Sequence, residues 1–268
     1  MVRQLRAVPD RPHQTIPGLD PGTRYFSRLS ARSALYTELH LLLDGLYDCL
    51  PATGYRTLVM EKNRLAREST SARRKLWEEL RSRYLLDCYH PLFAAFWSEW
   101  RRCKSEPERG LTAYILFALN DRLVADLGTE WLFPRVRQAS SQIQVEDVLS
   151  FIKQSANRHP EVTCWSAETL KSVAKHYMAS IRDFGLAEGK IKKKTIRPAL
   201  SAAPLRLLVR ALRLTGAKPM ELIQARIFRL LGLDGSEVIK ALTELNRRGK
   251  LRFKMQADVV ELELEAAQ

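Results

Sequence analysis

The stretch that decides the reading of this chain is residues 234–264, DGSEVIKALTELNRRGKLRFKMQADVVELEL. Its first part places Val238, Leu242 and Leu245 at helical spacing, flanked by Ile239, with Ser236, Lys240, Thr243, Glu244 and Arg247 on the opposite face. Asp234 and Glu237 stand three apart, the spacing of a reciprocal helix cap: the aspartate accepts from first-turn N–H groups and the glutamate reaches back. Gly249 ends the helix after Arg247 and Arg248. The second part alternates, with Leu251, Phe253 and Met255 on one side and Arg252 and Lys254 on the other. A loop over residues 256–259 pairs Met255 with Val260, Phe253 with Leu262 and Leu251 with Leu264. The same register sets Lys254 against Glu261 and Arg252 against Glu263, opposite charges across a hairpin. A one-residue slip turns the apolar set into water, so the pattern specifies its own register.

Upstream, Pro219 suits the first turn of a helix. Leu222, Ile223, Ile227, Leu230 and Leu231 continue at helical spacing, and Gly232 fits a left-handed cap. Helix, turn, helix and hairpin together outline a winged-helix module. The charge on the second helix is mixed and the far strand is acidic, so protein docking stands beside nucleic-acid contact as a use for this block.

The rest of the chain sets bounds on these uses. Among 268 residues, 44 are Lys or Arg and 30 are Asp or Glu, a net charge of +14 that attracts nucleic acid, an anionic surface or an acidic protein. A length prior of roughly 150 residues per domain suggests two domains. No apolar run approaches the ~20 residues of a membrane span; the best, residues 111–119, is stopped by Asn120, Asp121 and Arg122. Residues 1–25 hold four prolines before Gly22 and no apolar core, and are expected to form a flexible arm rather than a signal peptide. The default compartment is the cytoplasm. Cys49, Cys88, Cys103 and Cys164 are scattered, which argues for free thiols and against a zinc or disulfide framework.

The expected fold is mainly α: a multi-helix bundle over residues 26–158, then a winged-helix-like C-terminal domain over residues 159–268 ending in a β-hairpin. Helices are expected over residues 36–47 and 58–67, with Ser69–Ser71 as caps for the next helix, Pro91 opening the helix of Trp97 and Trp100, and a most apolar helix over residues 111–127. A turn is expected around Gly128 and Pro134. Residues 166–184 form a helix with Leu170, Val173, Tyr177 and Ile181 inward, capped by Gly185. His159-Pro160 marks the boundary between the two domains.

After that helix comes KIKKKTIR, residues 190–197, five positive charges with no acid. Gly189 is suited to turning a hairpin there, with Ile191 and Ile196 anchoring its return. Each Lys or Arg that neutralises a phosphate releases counterions. The candidate DNA contacts are therefore Lys190, Lys192, Lys193, Lys194 and Arg197, joined by Lys240, Arg247, Arg248, Lys250, Arg252 and Lys254 from the terminal block. A second basic cluster, Lys62 to Arg83, is interleaved with Glu61, Glu68, Glu78 and Glu79 and reads as a solvated face of intrahelical pairs. No phosphate loop, dinucleotide fingerprint, nucleophile elbow or zinc-protease motif is present. The five histidines stand apart. The chain is expected to be no enzyme and to need no metal or cofactor.

Two further stretches carry a resemblance. Residues 60–74, MEKNRLARESTSARR, and residues 165–186, ending in RDFGL, resemble characteristic stretches of the BrxA family of bacteriophage exclusion (BREX) defence systems. The resemblance implies a helical, double-stranded-DNA-binding accessory protein without catalytic residues, working beside a methyltransferase and an ATPase and not inserted in a membrane. Alternative uses are a protein-interaction adaptor within the defence complex, or RNA binding.

Overall fold

The structure, a computed structural model, describes residues 14–138, 141–190, 192–256 and 259–264. It is mainly α, with short strand pairs. The first half runs α1 (Tyr36–Leu43), α2 (Ala52–Met60), α3 (Thr70–Tyr84), α4 (Pro91–Trp100), α5 (Glu106–Leu119), α6 (Arg122–Asp126) and α7 (Phe133–Arg137). The second half runs β1 (Gln142–Ile143), α8 (Val145–Gln154), α9 (Ala167–Asp183), β2 (Ala187–Glu188), β3 (Lys193–Thr195), α10 (Ala202–Leu214), α11 (Pro219–Ile223), α12 (Gly235–Arg247), β4 (Arg252–Gln256) and β5 (Val259–Glu263).

Local chemistry sets the helix ends. Ser69 starts α3 by accepting from the Ala72 N–H at 3.1 Å, Ser166 starts α9 through Thr169 at 3.1 Å, and Pro91 occupies the first turn of α4. The helix expected over residues 58–67 stops at Met60, because the loop of the first family-like stretch, between α2 and α3, is held open by two left-handed residues, Asn63 and Ala66. Asn63 tolerates that conformation and its side chain accepts from the Arg67 N–H at 2.8 Å. In the second stretch Gly185 takes φ +80° and ends α9, while Phe184 turns inward against Tyr36, Tyr114 and Phe117.

α5 is the central helix, buried on every side from Gly110 to Leu119. It is covered by α4 and by α10, whose residues 203–209 are all buried. α9 packs on α8 and on the 3-10 turn Arg28–Ser30. Helices on both sides of the expected 158/159 boundary thus share one core, which runs without interruption from Ile16 to Leu262. His159, expected to mark that boundary, is itself buried, its ring stacked on Tyr25 at 3.6 Å.

Several expectations are corrected. The arm expected over residues 1–25 is packed from Gln14 onward: Ile16 and Tyr25 are buried, Gln14 donates to the Leu214 carbonyl at 2.9 Å and Gly18 to that of Leu119 at 2.8 Å. The proline-rich sequence hid this, because its contacts are long-range and lack a period. Residues 1–13 lie outside the described residues. The turn expected around Gly128 and Pro134 is a π-helical stretch, Leu127–Leu132, running into α7. Gly128 serves close packing there, since a Cβ would stand 2.3 Å from the Tyr114 hydroxyl and the Leu230 side chain. The second basic cluster is not a solvated face at Arg83. That residue pairs with Glu79 as expected, but it is buried and donates to the carbonyls of Ser33, Arg28 and Arg32, each at 3.1 Å.

The helix expected to run through residues 219–231 is split. α11 ends at Ile223, Ala225 is extended, and a 3-10 helix follows over Arg226–Leu231. The apolar residues explain the change: Ile227 with Leu230, and Phe228 with Leu231, are spaced by three and all four are buried, which suits three residues per turn better than 3.6. Gly232 then caps in the left-handed region at φ +72°. The terminal hairpin has the expected register, with Phe253 opposite Leu262 and Met255 opposite Val260. It extends one pair further, to Gln256 and Val259, because the turn is shorter than expected; Ala257 and Asp258 lie outside the described residues. Leu251, Phe253 and Leu262 are buried, whereas Met255, near the turn, is exposed.

Candidate nucleic-acid interface

β2 and β3 form the hairpin expected around Gly189, and β1 adds a third strand in the order β1-β3-β2. Gly189 adopts φ +94°, and a Cβ there would fall 2.2 Å from the Lys192 carbonyl oxygen, so the turn requires glycine. The period of two along β3 divides the lysines. Lys192 and Lys194 face solvent, as does Lys190 in the turn. Lys193 is buried on the same side as Thr195, its Nζ donating to the Lys190 carbonyl at 2.8 Å. Burial pushes the Lys193 ammonium below its usual pKa. Lys193 is therefore a structural residue of the turn, a correction to its place among the exposed contacts. Ile196, expected to anchor the hairpin, is exposed and contributes its backbone N–H to the Leu186 carbonyl at 2.9 Å; Ile191 lies outside the described residues.

The hairpin is tied to the last helix. Arg197 donates to Glu237 in the first turn of α12 at 2.9 Å, and Arg137 pairs with both Glu237 and Asp234. Asp234 and Glu237 form the expected reciprocal cap, with bonds of 3.1 and 2.9 Å. Burial pulls the Glu237 carboxyl up, but the Asp234 N–H and the two arginines outweigh it and hold its pKa below the ordinary value. Arg197 is half exposed yet committed to this pair, which makes it a strut between hairpin and helix.

Farther along α12, Lys240 is exposed, while Arg247 and Arg248 both grip Glu244, at 2.8 and 2.6 Å. These bonds hold the Glu244 carboxyl at about 2. On the terminal hairpin Arg252 lies 3.7 Å from Glu261 and 3.5 Å from Glu263. Lys254 stands opposite Glu261 in register, as expected, but the ion pair with Glu261 is made by Arg252. Lys190, Lys192, Lys194, Lys240, Lys250 and Lys254 are left as exposed cations without an ion pair among the described residues.

Three cations not singled out from the sequence, Arg102, Lys104 and Arg206, share a cavity with Arg248 and Lys250. Their local signal is weak: Arg102 and Lys104 sit in a short run between two helices, and Arg206 sits within an apolar one. Among the described residues no group of three or more His, Cys, Asp or Glu is placed to hold a metal ion, and no helix is long and apolar enough to cross a membrane. The four cysteines are free thiols.

The fold and its surface define a mainly helical, strongly basic protein with a capped helix and hairpin at its C-terminal side. Its family is BrxA: the family profile matches residues 23–211, and the chain belongs to that family. Membership makes it a component of a BREX phage-defence system, an accessory protein rather than a member of a known enzyme family. A comparison with curated proteins finds no match. The matched segment includes both family-like stretches and ends within α10, before α11, α12 and the terminal hairpin.

Proposed function

We propose that this chain is a non-enzymatic double-stranded-DNA-binding accessory protein of its BREX system, acting beside the methyltransferase and ATPase. The carrying observation is the set of six exposed lysines without carboxylate partners among the described residues, at positions 190, 192, 194, 240, 250 and 254. Three lie in the hairpin that Arg197 straps to α12 and three lie on α12 or just after it. In this reading the block from Pro219 to Leu264 works as a winged helix, with α12 near a groove and Lys254 near a phosphate. Binding is largely to the backbone, because phosphate contacts carry no sequence information.

The test is a salt-titrated shift assay with duplex DNA, single-stranded DNA and RNA of equal length. Duplex preference and affinity that falls steeply with salt support the reading, since each phosphate contact adds ~0.9 to the slope. Affinity indifferent to salt sinks it, and equal or better RNA binding moves it to RNA. A second reading, a protein-docking adaptor, draws on the self-neutralised end of α12, where Glu244 occupies Arg247 and Arg248. Charge reversal at Lys190, Lys192 and Lys194 that leaves DNA binding intact while BREX partners still co-purify favours it.

A further inference from the structure

The cavity that joins the bundle to the end of α12 measures about 640 Å³. Five cations line it from three parts of the chain: Arg102 and Lys104 between α4 and α5, Arg206 within α10, and Arg248 and Lys250 after α12. The two lining carboxylates are occupied. Glu108 accepts from the Lys104 N–H at 2.8 Å and the Ala203 N–H at 3.3 Å, and Glu244 holds Arg247 and Arg248. Two of the cations are occupied as well, Arg206 by the buried Glu99 at 2.7 Å and Arg102 by the same carboxylate at 3.7 Å.

What remains is a set of donors. Lys104 and Lys250 are exposed at the cavity and have no ion pair among the described residues. Ser201 precedes α10 without capping it, and its Oγ is shielded from water with no hydrogen-bond partner among the described residues. A buried hydroxyl left unpaired is costly and calls for an acceptor. Two ammonium groups and a hydroxyl match a group with near-double negative charge and three acceptor oxygens. The volume lies within the ~300–1,000 Å³ of small-molecule sites, and Leu200, Ala202 and Leu245 supply an apolar wall for the rest of a ligand.

We infer that this cavity binds a phosphate monoester, carried by a free nucleotide or by the 5′ end of a nucleic-acid strand. Lys104 and Lys250 neutralise the phosphate, and a rotation of the Ser201 side chain brings its Oγ to donate to one of the phosphate oxygens. The site shares Lys250 with the proposed duplex surface but lies apart from the β2–β3 lysines; a variant at Lys190, Lys192 and Lys194 removes those while leaving the cavity intact, and Lys104→Ala alone tests the cavity without touching the duplex set, so either reading can fail alone.

Calorimetric titration of the full chain with adenosine 5′-monophosphate, with adenosine as the control, tests the free-nucleotide source. Single-stranded oligonucleotides with a 5′-phosphate or a 5′-hydroxyl test the strand end. The expected result is saturable binding that requires the phosphate in one of the two arms, weakened roughly tenfold or more by Lys104→Ala with Lys250→Ala, as loss of charge-assisted bonds predicts. Both lysines are exposed, and an unchanged melting curve verifies that the variant folds. No phosphate-dependent binding in either arm, or equal affinity in the folded double variant, overturns the inference.

Discussion

Arg226 reaches Asp126 across a hundred residues of sequence, Nη2 to Oδ1 at 2.8 Å, and its other guanidinium nitrogen meets Glu130. Asp126 is fully buried at the end of α6 and also accepts from Tyr25 Oη at 2.8 Å and Arg122 Nε at 2.8 Å. One carboxylate thus joins the N-terminal segment, the bundle and the 3-10 helix that leads to α12. Asp126→Ala leaves the buried Arg122 without its counter-charge, a loss of about 3–5 kcal/mol by analogy with other buried pairs. Urea unfolding should show a lower midpoint at unchanged slope. Arg226→Ala, at a half-exposed position, should cost less but admit a protease sooner at residues 226–231.

Gly18 packs against the C-terminal end of α5 so closely that a Cβ would stand 2.3 Å from the Ala118 carbonyl oxygen and 2.9 Å from the Leu119 Cα. Both are backbone atoms and neither yields cheaply. Gly18→Ala should destabilise the fold by about 1–3 kcal/mol, the range for overpacking, and speed amide exchange at residues 14–25. The comparison is Gly45→Ala, where nothing lies within 4 Å and only the positive φ opposes a side chain. Exchange at residues 14–25 that is unaffected by Gly18→Ala would contradict the close packing.

Asp121 caps α6 from a buried position, and burial raises its carboxyl from 3.8 to about 6 against the opposing pull of Arg28 and the Val124 and Leu123 N–H groups. Between those values the folded state holds a proton that the unfolded chain has lost. This residue's contribution to stability therefore falls as pH rises through that window and is level above it. Asp121→Asn keeps the capping oxygen and removes the titration. The variant should gain on wild type between about pH 4 and pH 6, by an amount on the order of 2–3 kcal/mol, and hold that gain at higher pH. Thermal melts across that range check the sign; a gap that narrows with rising pH refutes it.

The lysines of β3 should behave differently in DNA binding. Lys192→Ala and Lys194→Ala should each lower the salt slope by roughly one. Lys193→Ala should leave the slope unchanged and lower the melting temperature, since its Nζ bonds the Lys190 carbonyl from inside the turn. Equal effects of all three on the slope would place Lys193 on the surface.

Thiol labelling of the native protein should separate the cysteines. Burial pushes Cys49 and Cys103 up to about 12, whereas Cys164 is exposed. The thiolate is the reactive form. Cys164 should react in the native state, and Cys49 and Cys103 only after unfolding, which mass spectrometry of the labelled peptides reads directly.

The features legible in the sequence are those with a short period. The hairpin register follows from alternation over residues 251–264, and the α12 cap from the spacing of Asp234 and Glu237. Features that depend on distant partners were hidden. Glu99 looks like any surface acid, yet it is fully buried among Arg102, Arg206 and Arg210. The inward turn of Lys193 needs the β1 strand, too short at two residues to leave a pattern. The cavity around Ser201 joins segments a hundred residues apart, which no local motif encodes.

The bond from Arg206 to Glu99 spans 107 positions of sequence. Its consequence concerns the order of events during synthesis. The groove between α4 and α5 stays open, with Glu99 short of its partners, until α10 has left the ribosome. Closing so long a loop adds an entropic barrier that local helix formation does not lower. The bundle is therefore completed late, and the nascent chain before that point presents an apolar groove that a chaperone can recognise.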